Sequence, residues 1–171
     1  GVLVLLGNHY EKVPINLTYK LKLHKMATIA NLELKAKKTP SNFEKVKIIS
    51  SNDAFKVIKQ FYFDDIDIFE SFFILCLNRN NQTIAYAKIS QGGVTGTVVD
   101  IKLIAKYAID CLASGVILAH NHPSGNLKAS PEDLAITKRI KEGLKILDIS
   151  VLDHLILTSQ GYLSFGDEGI L

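Results

Sequence analysis

Six consecutive apolar residues, Phe72 to Leu77 (FFILCL), constrain this chain more than any other feature. A strand with one wet face alternates apolar and polar residues. An unbroken run of this length, bounded by polar turns, predicts a strand buried on both faces. VILA (116–119) reads as a second, shorter buried strand. RNNQ (79–82) is a turn, and TIAYAKIS (83–90) is the strand returning from FFILCL, so the pair forms a hairpin. Elsewhere the spacing becomes helical. SSND (50–53) is a helix start ahead of AFKVIKQFY, and Asp100 caps a helix, IKLIAKYAIDCLA, expected to end near Gly115. Residues 131–147 form an amphipathic helix with Leu134, Ile136, Ile140, Leu144 and Leu147 as its apolar positions. VLDHLILT (151–158) and YLSF, separated by SQG, are the last strands. The order β-β-α-β-α-β-β, after a small N-terminal α/β portion, predicts one α/β domain.

The rest of the chain is less structured in its signals. Residues 32–50 mix short strand-like pieces with Lys-rich turns, and DDIDIF (64–69) is an acidic connector. QGGVTGT (91–97) needs only turn chemistry and is not the G-x-G-x-x-G of a nucleotide site. Met26 is the single methionine. Residues 1–25 read either as an extension upstream of it, not native to the protein, or as an ordinary N-terminal strand or arm. Residues 26–69 are then the small α/β portion, and 70–171 the core.

Composition excludes several classes. No apolar run approaches the roughly 20 residues of a bilayer span, and VLVLL lacks the preceding basic stretch of a secretory signal. A non-exported, cytoplasmic protein with no membrane partner is expected. Cys76 and Cys111 stand alone in apolar segments and read as buried hydrophobes, not as a disulfide or a C-x-x-C pair. The net charge of +3 is carried by residues 1–25, where four lysines face one glutamate. The remaining 146 residues balance at sixteen charges of each sign, so the body has no overall basic excess to serve as a nucleic-acid footprint.

The chemistry concentrates in AHNHPSGNLKASPED (119–133). If the chain leaves VILA extended, His120 and His122 project to one side and Asn121 to the other. Pro123 keeps His122 extended. Asp133 supplies a third ligand if the turn at Gly125 reverses the chain. Two imidazoles and a carboxylate suit a catalytic zinc with one position open, and Mn²⁺, Fe²⁺ or Co²⁺ would accept the same set. A second account stands beside this one. Ser130-Pro131-Glu132-Asp133 is a good helix start, and capping alone explains Ser130 and much of Asp133. The two are compatible, because a capped helix holds its first-turn carboxylate rigidly.

His120-x-His122, seven residues, Ser130, two residues, Asp133 matches the JAMM motif of the JAB/MPN-domain metalloproteases. HNHPSG, the preceding SGVILA and the downstream VLDHLIL resemble the bacterial RadC-like branch most closely. The resemblance covers about residues 45–171. It implies a single three-layer domain of cytidine-deaminase-like architecture with a mixed central sheet, and one catalytic Zn²⁺ held by His120, His122 and Asp133. It also implies a glutamate at the start of a core strand, here Glu70. From the residues alone, Glu70 is a solvated charge at the mouth of a strand. The resemblance makes it the base that takes a proton from water and passes it to the leaving amine. Ser130 would donate a hydrogen bond to the tetrahedral oxyanion. The implied activity is hydrolysis of a peptide or isopeptide bond in an amide-containing substrate.

Other residues carry competing readings. Asp153-His154 is a polar pair in an apolar strand, either a satisfied structural pair or a group orienting a metal ligand. The letters HNH at 120–122 are not an HNH nuclease motif, whose residues are dispersed. A nucleobase deaminase would need H-x-E and P-C-x-x-C. A DNA-repair-associated role lacks a convincing helix-hairpin-helix segment and has the neutral body against it. MPN scaffolds that only bind partners commonly lack the metal ligands present here. The sequence leaves the oligomeric state open.

Overall fold

The structure is a computed structural model. It describes residues 2–6, 8–13, 41–62, 65–92 and 98–171. Residues 14–40, which hold much of the N-terminal arm and most of the small α/β portion, and the glycine-bearing 93–97 segment fall outside these, as do Phe63 and Asp64 of the connector. Two compact units are present, Gly1–Leu34 and Lys35–Leu171. In the first, β1 (Val2–Leu6) and β2 (His9–Val13) form an antiparallel hairpin paired from Val2–Val13 to Leu6–His9.

The second unit is built on a five-stranded mixed sheet in the order β4-β3-β5-β6-β7. These strands are β3 (Ser71–Leu77), β4 (Thr83–Gln91), β5 (Gly115–Asn121), β6 (Ser150–Leu157) and β7 (Tyr162–Ser164). The β5–β6 pair is parallel and the other three are antiparallel. The predicted double burial of FFILCL has a direct cause. Phe73, Leu75 and Leu77 pack with α1 (Ser51–Ile58) and a following 3₁₀ turn (Lys59–Phe61) on one face. Phe72, Ile74 and Cys76 pack with α2 (Ile101–Asp110) and α3 (Pro131–Lys145) on the other. Helices therefore cover both faces, in three layers. Side chains of this size contribute about 1.5–3 kcal/mol each when fully buried. Cys76 and Cys111 lie in the second cluster and form no disulfide.

β5 also divides by alternation. Ile117 and Ala119 belong to the α1 cluster, and Val116 and Leu118 to the α2/α3 cluster. His120 falls on the α2/α3 face. β6 would place its residues in the same phase but for one insertion. Val116 pairs with Val151, yet Ile117 pairs with Asp153, so Leu152 is an extra residue that bulges from the ladder. The bulge reverses the phase of the rest of β6 and brings His154 to the face of Leu118 and His120. Gly115 makes room for it, since a Cβ there would lie 2.8 Å from Leu152 Cδ1.

Some expectations from the sequence are revised. α2 stops at Asp110, not near Gly115, and Leu112 takes the left-handed conformation, φ 55°. Leu112 N–H donates to Ile109 O and Ala113 N–H to Ala108 O, both at 2.9 Å, which closes a Schellman motif without glycine. α3 buries Thr137, Ile140 and Leu144, whereas Leu134 and Leu147 are over 40% exposed. Residues 41–50 form no strand but one isolated bridge, Lys47–Gln82. Phe43 anchors this stretch, with ring centroids 5.3 Å from Phe61 and from Tyr86. Among the described residues, no helix is long and apolar enough to cross a membrane.

A left-handed backbone costs an L-residue about 1–2 kcal/mol, and the Leu112 side chain is 79% exposed. Leu112→Gly is therefore expected to be more stable than Leu112→Ala by about 1 kcal/mol in urea unfolding. Equal stability of the two variants would mean that the backbone strain is not there.

Candidate metal centre

β5 ends at the site. Its last two residues are His120 and Asn121, and His122 follows with its N–H donating to Leu157 O at 2.9 Å, so the β6 pairing continues through it. The chain stays extended, and both imidazoles lie on one side. His122 and Gly125 then close a turn, with Gly125 N–H donating to His122 O at 3.0 Å and Gly125 at φ 78°. That turn returns the chain to α3, whose first residues face the histidines.

Asp133 enters through the helix cap. Ser130 Oγ accepts from Asp133 N–H at 3.1 Å, and Asp133 Oδ2 accepts from Ser130 N–H and O–H, each at 2.7 Å. This capping box holds one carboxylate oxygen and directs the other, Oδ1, to His120 Nε2 at 3.0 Å. His120 Nε2 and His122 Nε2 are also 3.0 Å apart, and His122 Nε2 lies 3.6 Å from Asp133 Oδ2. A tetrahedral zinc about 2.0–2.1 Å from its nitrogen and oxygen ligands sets neighbouring ligands roughly 3.3 Å apart. The spacing of the three side chains fits such an ion, and their ligand atoms all fall within 4.8 Å of one another.

Electrostatics agree with this arrangement. Burial works to raise the Asp133 carboxyl, but His120 and His122, which donate to it whenever a proton sits on their Nε2, and the hydrogen bond from Ser130 hold it well below the usual carboxylate range. The Asp133 carboxylate raises the His122 imidazole above its ordinary value against partial desolvation, and the Asn126 carbonyl and the charge of Glu70 add to the effect. His122 Nδ1 sits 2.7 Å from Asn126 O. Since a carbonyl only accepts, Nδ1 carries the hydrogen whenever the ring is neutral, and Nε2 presents a lone pair to the cluster.

Glu70 directly precedes β3. Extending the Phe72–His120 pairing by two residues sets Glu70 across from His122, on the same face of the sheet. Its backbone is held by Gly92 N–H, which donates to Glu70 O at 2.8 Å. Asn121, turned away from the histidines, holds the adjoining stretch. Its buried side chain accepts from Ser71 N–H at 2.8 Å and donates to Phe69 O at 2.8 Å and to Ile66 O. Tyr62, whose phenol is pushed up by burial, donates to Ser71 O at 3.2 Å.

The pair Asp153-His154 splits. Asp153 serves the fold, accepting from Ser164 O–H at 2.6 Å and from the N–H groups of His154 and Gly166 at 2.7 and 2.9 Å. His154 turns to the site, with Nε2 2.8 Å from His120 Nδ1 and Nδ1 2.6 Å from Thr137 Oγ1. Asn121 and Thr137 were not singled out from the sequence. The one signal for Thr137 is its position four residues after Asp133, on the helix face that carries it.

The family model for the RadC-like JAB domain matches residues 48–170. A UPF0758 protein of Flavobacterium johnsoniae is 43% identical over 146 residues, 85% of this chain and 63% of that protein. A UPF0758 protein of Porphyromonas gingivalis is 39% identical over 125 residues, 72% of this chain and 54% of that one. A UPF0758 protein of Neisseria meningitidis serogroup B is 42% identical over 97 residues, 57% and 43% of the two chains. The chain thus spans less than two thirds of the length of these curated relatives.

Asn121→Ala leaves three backbone groups without their partner, and unsatisfied buried groups cost about 1–3 kcal/mol each. A loss of roughly 2–4 kcal/mol in urea unfolding is expected, on the scale of one to two such groups after relaxation. A loss under about 0.5 kcal/mol, the size of an ordinary surface substitution, would contradict the assignment.

Proposed function

Since the chain belongs to the RadC-like JAB domain family, we propose that it is a zinc-dependent hydrolase that cleaves an amide bond, of peptide or isopeptide type. The observation that carries this reading is the convergence of His120 Nε2, His122 Nε2 and the Asp133 carboxylate, with pairwise contacts of 3.0, 3.0 and 3.6 Å. All three are donors that zinc accepts, and three protein ligands leave one position open. The chemistry that the ion supplies there is Lewis acidity, enough to bring water to hydroxide near neutral pH.

The chain's own groups do the rest. Glu70, across from His122, takes the proton of the attacking water and delivers it to the leaving amine. Its backbone tether to Gly92 and the Asn121 clamp beside it fix where that carboxylate stands. Ser130 orients Asp133 through two hydrogen bonds to Oδ2. To serve a developing oxyanion as well, its hydroxyl must rotate away from that oxygen, and such a donor is worth about 3 kcal/mol in other hydrolases.

Purified protein is expected to hold about one zinc per chain, the count of a single three-ligand site, and His120→Ala to hold almost none. Equal zinc in both would remove the site. In a peptide-library digest, Glu70→Gln should keep its zinc and lose activity by a hundredfold or more, the scale of general-base catalysis. Undiminished cleavage by zinc-loaded Glu70→Gln would reassign the base. Zinc affinity should fall as pH drops. His122 binds protons more tightly than an ordinary imidazole, and a proton on Nε2 excludes the metal. The decline therefore begins above pH 6.5, the usual imidazole midpoint.

A further inference from the structure

His154 and Thr137 lie behind the cluster, and neither approaches the open side where a substrate would bind. Their hydrogen bonds form a directed chain. It starts at the backbone carbonyl of Asp133, which only accepts. Thr137 O–H donates to it. The single hydroxyl hydrogen is then used, so at its 2.6 Å contact with His154 Nδ1 the Thr137 oxygen acts as acceptor. His154 Nδ1 therefore carries a hydrogen. His154 is fully buried, and a buried imidazole is held neutral, so its Nε2 is bare. Across the 2.8 Å contact, His120 Nδ1–H donates to that nitrogen. His120 Nε2 is then a lone pair aimed at Asp133 Oδ1 and His122 Nε2.

We propose that Thr137 and His154 are positioning residues that lock His120 in the tautomer with Nε2 free to bind the metal, which rests on the metal-binding reading of the site. Each metal-facing histidine is thus anchored at a backbone carbonyl. His122 reaches Asn126 O directly, and His120 reaches Asp133 O through two side chains. The longer path runs through the helix that bears the third ligand. It joins β5, β6 and α3, so two ligands, His120 and Asp133, share one hydrogen-bond circuit. The opposite arrangement turns on where one hydrogen goes. If Thr137 donated to His154, every bond would reverse, and His120 Nε2–H would block the site. The bond from Thr137 to the Asp133 carbonyl selects against that reversal.

The direct test is long-range ¹H–¹⁵N correlation of the imidazoles in the metal-free, ¹⁵N-labelled chain, at a pH where all three rings are neutral. His120 is expected with hydrogen on Nδ1, and hydrogen on Nε2 would overturn the proposal. Zinc affinity, measured by competition with a chromogenic chelator, is expected to fall about 10–100-fold in Thr137→Val, the usual cost of removing a group that orients a ligand. Thr137→Ser, which keeps the hydroxyl, should stay within about threefold of wild type, well inside that range. Wild-type affinity in Thr137→Val, with His120 still hydrogenated on Nδ1, would also overturn it. Should Thr137→Val fail to fold, the wild-type tautomer decides alone. A wild-type chain with Nδ1–H on His120 but no zinc affinity would uphold the relay and remove the metal reading.

Discussion

Backbone pairing along both edges of β5 governs where every group of the site can stand. On one edge, the Phe72–His120 pair sets Glu70 opposite His122. On the other, the Leu118–His154 pair brings a buried imidazole against His120. The faces of the strand divide the work. His120 turns to the α2/α3 side and meets Asp133, while Asn121 turns the other way and holds the entry to β3. A central strand has no free edge along which to slip, so its register is strongly specified. Three side chains separated by up to 13 positions in sequence thereby meet within a few ångströms.

The capping box of α3 performs two tasks with one set of bonds, and α1 supplies the comparison. Ser50 and Asp53 make the same reciprocal bonds, and Asp53 is lowered chiefly by its hydrogen bond with Ser50. Asp53 is half-buried and has no contact with a histidine among the described residues. A cap of this kind is thus an ordinary helix start. What differs at Ser130–Asp133 is position. The turn through Gly125 delivers that cap to the end of β5, where the second carboxylate oxygen finds imidazoles.

The sequence carries the signals that are local. Alternation around His120 and His122, the helix starts at Ser50, Asp100 and Ser130, and the double burial of FFILCL all depend on residues within a few positions. Helix ends proved less legible, because Leu112 and Asp148 adopt left-handed conformations that glycine usually marks. The face of α3 was misjudged at Leu134 because apolar character alone cannot show which flank meets the sheet. Thr137 lies on that flank because Asp133 does. The contrasting roles of Asp153 and His154 follow from pairing between distant strands, which has no local signature. Glu70 is of the same kind, a polar residue whose meaning comes from the strand beside it.

The bulge at Leu152 gives β6 an unusual genetic consequence. Its residues before and after that point are indexed to opposite faces of the sheet, and a single position carries the change. A new side chain at Leu152 leaves the indexing intact. Loss of that codon would leave it intact as well, because Asp153 would follow Val151 directly and still meet Ile117, keeping His154 beside Leu118. Codon substitution and codon loss at this place therefore leave His154 on the same face, so the ladder holds one position whose presence, as well as whose identity, is independent of the register that serves the site.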